Sequence, residues 1–126
     1  MLSKSVIDSF MNNFLVDATN GQIRNKGWPT IDFEGRGLEA YSDYCVSKIA
    51  LNAYTRVLAR ELLSREDGQK VYANAMTPGY TKTDMSLGMG NDIVEEGADT
   101  AVWLALLTPL ELPFGKFLAE RAEIPF

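Results

Sequence analysis

Val71-Tyr-Ala-Asn-Ala-Met-Thr77 runs directly into Pro78-Gly79. A short run of this composition, cut off by a Pro-Gly pair, reads as a buried strand that ends in a turn. Its alanines suit close packing of helices against a parallel sheet. Upstream, Val46, Ile49, Ala50, Ala53, Tyr54, Val57, Leu58 and Leu62 recur at helical spacing with no Pro or Gly between them. That predicts a long helix from Ala40 to about Arg65, with Arg56, Arg60 and Glu61 on or near its wet side and Ser64-Arg-Glu-Asp-Gly68 as its stop. Downstream, Asp92-Ile-Val-Glu95 has the spacing of a capping box. Val94, Ala98, Ala101, Val102, Leu104 and Ala105 continue from it as a second, mostly buried helix that ends at Leu106-Leu-Thr-Pro109. Gly97 is a weak point in that helix. Phe114-Gly-Lys-Phe-Leu-Ala119 is the predicted last strand.

The chain opens on another helix. Ser5-Val-Ile-Asp8 has capping-box spacing, and Val6, Ile7, Phe10, Met11, Phe14 and Leu15 line one face before the stop at Asp17-Ala-Thr-Asn-Gly21. Gln22 to Glu39, broken by Gly27, Pro29, Gly35 and Gly37, reads as a long loop. Trp28 either anchors that loop or lines a pocket. The order is helix, loop, helix, strand, turn, helix, strand, which indicates an α/β layout with parallel pairing. Two strands alone cannot cover their own edges or bury both faces of their helices, so the pattern reads as part of a larger α/β domain.

Composition narrows the function. The 126 residues hold 12 Lys and Arg, 17 Asp and Glu and no His, a net charge of −5. Without His there is no Ser-His-Asp or Cys-His relay and no His-ligated zinc. A lone Cys45 makes no internal disulfide and no CxxC metal site, and it reads as a small, buried apolar side chain. Glu95, Glu96 and Asp99 read as a solvated helix face, so no metal site is expected. The acidic balance gives no footprint for nucleic acid. The length allows one domain at most. No apolar run is long enough to cross a bilayer, and the start shows no secretory signal, so a cytoplasmic chain with no membrane partner is expected.

The candidate chemistry sits at Tyr44-Cys-Val-Ser-Lys48. Residues four apart on a helix project one turn apart on the same face, which brings the Lys48 ammonium near the Tyr44 phenol. A free phenol is a poor proton donor at neutral pH, and a neighbouring positive charge favours its ionised form. Such a pair suits general acid–base work on a carbonyl or an alcohol. With five Tyr and six Lys in the chain, this spacing arises by chance about 0.2 times, and an exposed pair on a helix is the plain alternative. Tyr41 has Cys45 at the fourth position, not Lys, so Tyr44 is preferred. The second feature is Pro78-Gly-Tyr-Thr-Lys-Thr-Asp84, just after the predicted strand. Ligands in open α/β sheets bind beyond the carboxyl ends of strands. A Pro-Gly turn there allows close backbone approach, and its N–H groups with the Thr81 and Thr83 side chains suit an amide or a phosphate. The alternative is an ordinary turn followed by a short helix capped by Thr83 or Asp84.

Together these strings, Tyr44-Cys-Val-Ser-Lys-Ile-Ala-Leu-Asn-Ala-Tyr-Thr-Arg56 and Ala75-Met-Thr-Pro-Gly-Tyr-Thr-Lys-Thr-Asp-Met85, resemble the C-terminal part of a short-chain dehydrogenase/reductase. The likeness is to the carbonyl-reductase-like branch of plants, which includes menthone/neomenthol and salutaridine reductases. Lys26-Gly-Trp-Pro-Thr30 resembles the insertion of that branch, and Val94-Glu-Glu-Gly-Ala98 and Gly115-Lys-Phe-Leu-Ala119 its last helix and strand. The resemblance implies one partial domain over residues 1–126 of a Rossmann-type, doubly wound parallel sheet, with 1–39 as the insertion and 40–126 as the catalytic helix, last strands and helix.

It further implies an NADPH-dependent reductase of ketones or aldehydes, NAD being the less favoured cofactor. Tyr44 would give the proton, while Lys48 would assist it and hold the nicotinamide ribose. Pro78, Gly79, Thr81 and Thr83 would hold the carboxamide. Residues near Trp28 and from Met85 to Gly90 would border the substrate mouth. The insertion would cover the dimerisation surface of related enzymes, so full-length relatives would be monomers. The family's TGxxxGxG turn, its NNAG strand end and its catalytic Ser have no match here. The expectation is therefore the C-terminal half of a reductase, without the dinucleotide-binding half and weakly active or inactive alone. The alternative is a non-catalytic remnant that partners a full-length reductase through its sheet edge.

Overall fold

The computed structural model describes residues 1–30, 42–66 and 69–125. The chain divides into two compact units, Met1–Val57 and Leu58–Phe126.

In the first unit, α1 spans Lys4–Thr19. Its cap is Ser3, extended at φ −145°, whose Oγ accepts the Val6 N–H at 3.4 Å. The expected Ser5 box is therefore displaced: Ser5 is already helical, and its hydroxyl lies 3.0 Å from that of Ser3. The helix stops where predicted, with Asn20 as C-cap and Gly21 at φ +65°. α2 spans Ser42–Leu63 and carries on into the second unit. Its expected first residues, Ala40 and Tyr41, lie outside the described residues except for the order they keep in sequence, as do Asp67 and Gly68 of its stop. Ile7 of α1 is buried with Ala50 and Val57 of α2, and Leu2, Met11 and Ala53 pack around them. Trp28 closes the other end of α1. Its ring centroid lies 5.1 Å from that of Phe10 and 5.2 Å from that of Phe14, and its Nε1–H donates to Asp17 Oδ2 at 2.9 Å. Of the two roles open to it, this is the anchor.

In the second unit, β1 (Ala75–Met76) pairs in parallel with β2 (Phe117–Ala119), with Ala75 opposite Phe117 and Met76 opposite Leu118. The strand expected over Val71–Thr77 shrinks to these two residues because Asn74 replaces regular rungs with its side chain. Its Oδ1 accepts the Lys116 N–H at 3.1 Å and its Nδ2 donates to the Pro113 carbonyl at 2.7 Å. The last strand likewise begins at Phe117, not Phe114.

A third strand, β3 (Ala122–Ile124), adds antiparallel to β2. It was invisible in the sequence because Glu120 and Arg121 make the turn at φ 49° and 61° with no Gly or Asn. Arg121 holds that turn to the preceding helix, α3 (Val94–Leu106). Its N–H donates to the buried Thr100 hydroxyl at 3.1 Å, and its guanidinium forks onto Asp99, with Nε 2.7 Å from Oδ2. Asp99 is therefore paired, not simply a solvated charge.

α3 departs from expectation in two ways. Its capping contact is shifted by one residue, with the Ile93 N–H donating to Glu96 Oε2 at 3.0 Å. It is also largely exposed, not mostly buried: Val102 is 55% and Leu106 79% accessible, while Gly97 and Thr100 are buried. Strands of two and three residues offer too little surface to cover a helix of 13. No helix among the described residues is long and apolar enough to cross a membrane.

Two outcomes follow from these contacts. Trp28→Ala removes both ring contacts and the Asp17 bond, and should destabilise the first unit by about 3 kcal/mol in urea unfolding. The hydrogen bonds from Arg121 hold the Asp99 carboxyl below its ordinary range, and those from the Thr108 hydroxyl and N–H do the same to Glu111. Groups whose folded pKa is depressed contribute stability above their unfolded pKa and lose it as pH falls through the folded value. The melting temperature should therefore drop as pH falls through and below the carboxylate range. Asp99→Asn should flatten that acid limb, and thermal melts across a pH series check it.

Candidate functional site

Tyr44 and Lys48 sit one turn apart near the start of α2, with no Pro or Gly between them to disturb the i, i+4 relation. Tyr44 is 50% exposed, and the Lys48 Nζ lies over its ring, 5.4 Å from the centroid. The predicted pair thus forms, as a cation over the aromatic face. Around it the helix is well seated. Val46 is fully buried, Cys45 is half-buried, and the Ser47 hydroxyl donates to the Tyr44 carbonyl at 2.7 Å. What the exposed phenol and ammonium offer chemically is a proton on oxygen beside a positive charge.

Pro78, Gly79, Thr81 and Thr83 lie in the second unit, directly after β1. Gly79 adopts φ +73°, and a Cβ built on it would fall 2.6 Å from Asp92 Oδ2. The missing side chain thus makes room for the Asp92 carboxylate. Tyr80 and Asp92 close the neck of a loop: the Tyr80 carbonyl accepts the Asn91 N–H at 2.6 Å and the Asp92 N–H at 3.2 Å, and the Lys82 N–H donates to the Asp92 carbonyl at 2.9 Å. Inside the loop, Ser86 is the knot. Its hydroxyl accepts the Thr83 N–H at 2.9 Å and donates to the Thr81 carbonyl at 2.8 Å. The short helix weighed for Thr83 or Asp84 is replaced by consecutive turns through Gly88. An open cavity of about 410 Å³ borders Lys82, Thr83, Asp84, Leu87 and Gly88.

The polar groups of the segment are unequally available. The Thr81 hydroxyl donates to the Pro78 carbonyl at 2.9 Å, and the Gly79 N–H points to the Thr77 hydroxyl at 3.3 Å. Among the described residues, the Tyr80 and Thr81 N–H groups have no hydrogen-bond partner. Asp92, Ser86 and Gly97 were not singled out as site residues from sequence. Gly97 had left a signal, since a glycine inside a helix costs about 1 kcal/mol against alanine and often marks a close approach. Here that approach is by Thr81 and Pro78. No group of three acidic or thiol side chains suited to a metal occurs among the described residues.

The chain belongs to the short-chain dehydrogenase/reductase family, in its carbonyl-reductase-like branch. The family model described as enoyl-(acyl carrier protein) reductase matches residues 30–112. Short-chain dehydrogenase/reductase 1 of Saponaria officinalis is 42% identical over 125 residues, covering 99% of this chain and 36% of that protein. Human carbonyl reductase (NADPH) 1 is 35% identical over 121 residues, covering 95% of this chain and 40% of that protein. The structure of salutaridine reductase from Papaver somniferum matches with a TM-score of 0.72 at 37% identity, covering 92% of this chain and 34% of that one. The chain thus spans roughly two fifths of the length of the relatives it matches and carries a partial Rossmann fold.

Removing the knot tests the loop. Ser86→Ala should loosen residues 83–88 at a cost of about 1 kcal/mol, read as faster amide exchange at Leu87 and Gly88 with α1 unchanged.

Proposed function

We propose that these residues form the acid–base and carboxamide-holding part of an NADPH-dependent reductase of ketones or aldehydes, with Tyr44 as proton donor. The observation that carries the reading is the Lys48 ammonium held over an exposed Tyr44. In carbonyl reduction the substrate oxygen gains negative charge and takes a proton. Tyr44 supplies that proton from its hydroxyl, and Lys48 stabilises the negative charge that builds on the phenol oxygen as it leaves. In the first unit the spare N–H donors of Lys48 suit a ribose hydroxyl, and in the second the unengaged N–H groups of Tyr80 and Thr81 suit a carboxamide oxygen. When bound, NADPH supplies the hydride. Human carbonyl reductase (NADPH) 1 supports the choice of NADPH by its name, and NAD is the less favoured alternative.

Residues 1–39 are read as the insertion of this branch and 40–126 as the catalytic helix, last strands and helix. α1 covers Ala50, Ala53 and Val57 on α2, which supports a monomeric full-length reductase, and a cytoplasmic location belongs to the same proposal. Among the described residues β1 and β3 each pair on one side only, which favours a second reading, a non-catalytic chain that partners a full-length reductase.

No glycine-rich TGxxxGxG turn occurs in these 126 residues. Titrated with NADPH while its fluorescence is followed, the chain alone should bind more weakly than micromolar and show little turnover. Micromolar binding with ketone-dependent NADPH oxidation defeats that expectation. Fused behind the N-terminal part of the Saponaria officinalis relative, the chain should reduce ketones, and Tyr44→Phe should lower kcat about 10²–10⁴-fold. Full activity of the Tyr44→Phe fusion refutes the proton-donor role.

A further inference from the structure

The Pro78–Thr83 segment is gripped at one residue from two sides. A Cβ on Gly97 of α3 would lie 2.6 Å from Thr81 Oγ1, 3.0 Å from Thr81 Cγ2 and 3.4 Å from the Pro78 carbonyl oxygen. A Cβ on Gly90 would lie 2.1 Å from the Thr81 carbonyl carbon and 2.3 Å from the Lys82 nitrogen. Gly90 and Gly97 are both buried, and Thr81, packed between them, is half-buried. In this seat the Thr81 hydroxyl donates to the Pro78 carbonyl at 2.9 Å.

We propose that Gly97 is a positioning residue. By letting α3 close on Thr81, it locks the Thr81 hydroxyl onto Pro78 and leaves the Tyr80 and Thr81 main-chain N–H groups as the donors that meet a ligand amide. Thr81 then acts through its backbone and not through its side chain. The ligand side of this inference rests on the function proposed above; the steric side stands on its own.

A double-mutant cycle on the 126-residue chain separates the two. Gly97→Ala forces Thr81 off its seat and opens the loop neck, so amide exchange at Lys82 and Asp92 should quicken about tenfold. Thr81→Ala removes both close atoms, so adding Gly97→Ala to it should change those rates less than twofold, even though helix propensity alone would favour the alanine. Millimolar NADPH should shift the Tyr80 and Thr81 amide resonances in the parent and in Thr81→Ala, and not in Gly97→Ala. Unchanged exchange in Gly97→Ala, or equal acceleration in both backgrounds, overturns the positioning role. A coupled exchange cycle with no NADPH-induced shift in the parent upholds the Gly97–Thr81 lock and counts against the proposed cofactor instead.

Discussion

The meeting of α3 with the Pro78–Thr81 turn is the constraint on which the second unit depends. A Cβ would collide with the backbone of Thr81 and Lys82 at Gly90 and with the Thr81 side chain at Gly97. That contact fixes the direction in which the chain leaves β1, the rotamer of Thr81 and the closure of the 80–92 neck by Asp92. Glycine inside a helix is unfavourable by itself. Its presence at position 97 means that local helix propensity has yielded to the geometry of a neighbouring turn.

The first unit is governed by a different kind of contact. α1 lays Ile7 and Met11 against the small residues Ala50 and Ala53, and Trp28 folds back on Phe10 and Phe14. The small side chains of α2 serve there as a bed for a helix, while the Tyr44–Lys48 pair remains exposed on the same helix. A buried face and an exposed Tyr–Lys face thus coexist on one helix.

Much of this was legible in the sequence. The three helices carry sustained periodicity, and the Tyr44–Lys48 relation follows from helical geometry alone. The strand before Pro78 lies where the composition puts it but is shorter, because the Asn74 side chain, and not the regular ladder, bonds Pro113 and Lys116. β3 was missed because its turn uses Glu120 and Arg121, residues that give no local hint of positive φ. The burial of α3 was overestimated because its apolar residues follow a helical pattern, and a pattern cannot say how much sheet is there to cover it. The role of Asp92 was hidden for a related reason: it acts through space on Gly79, thirteen residues away in sequence.

The Glu120–Arg121 turn has a consequence for how this region assembles. A hairpin closed by two residues that disfavour left-handed backbone has little tendency to form alone. It is held by Thr100 and Asp99, which are in register to receive it only once their helix exists. The C-terminal ribbon therefore depends on α3 for its anchorage, and a perturbation that frays the middle of that helix should release the ribbon with it.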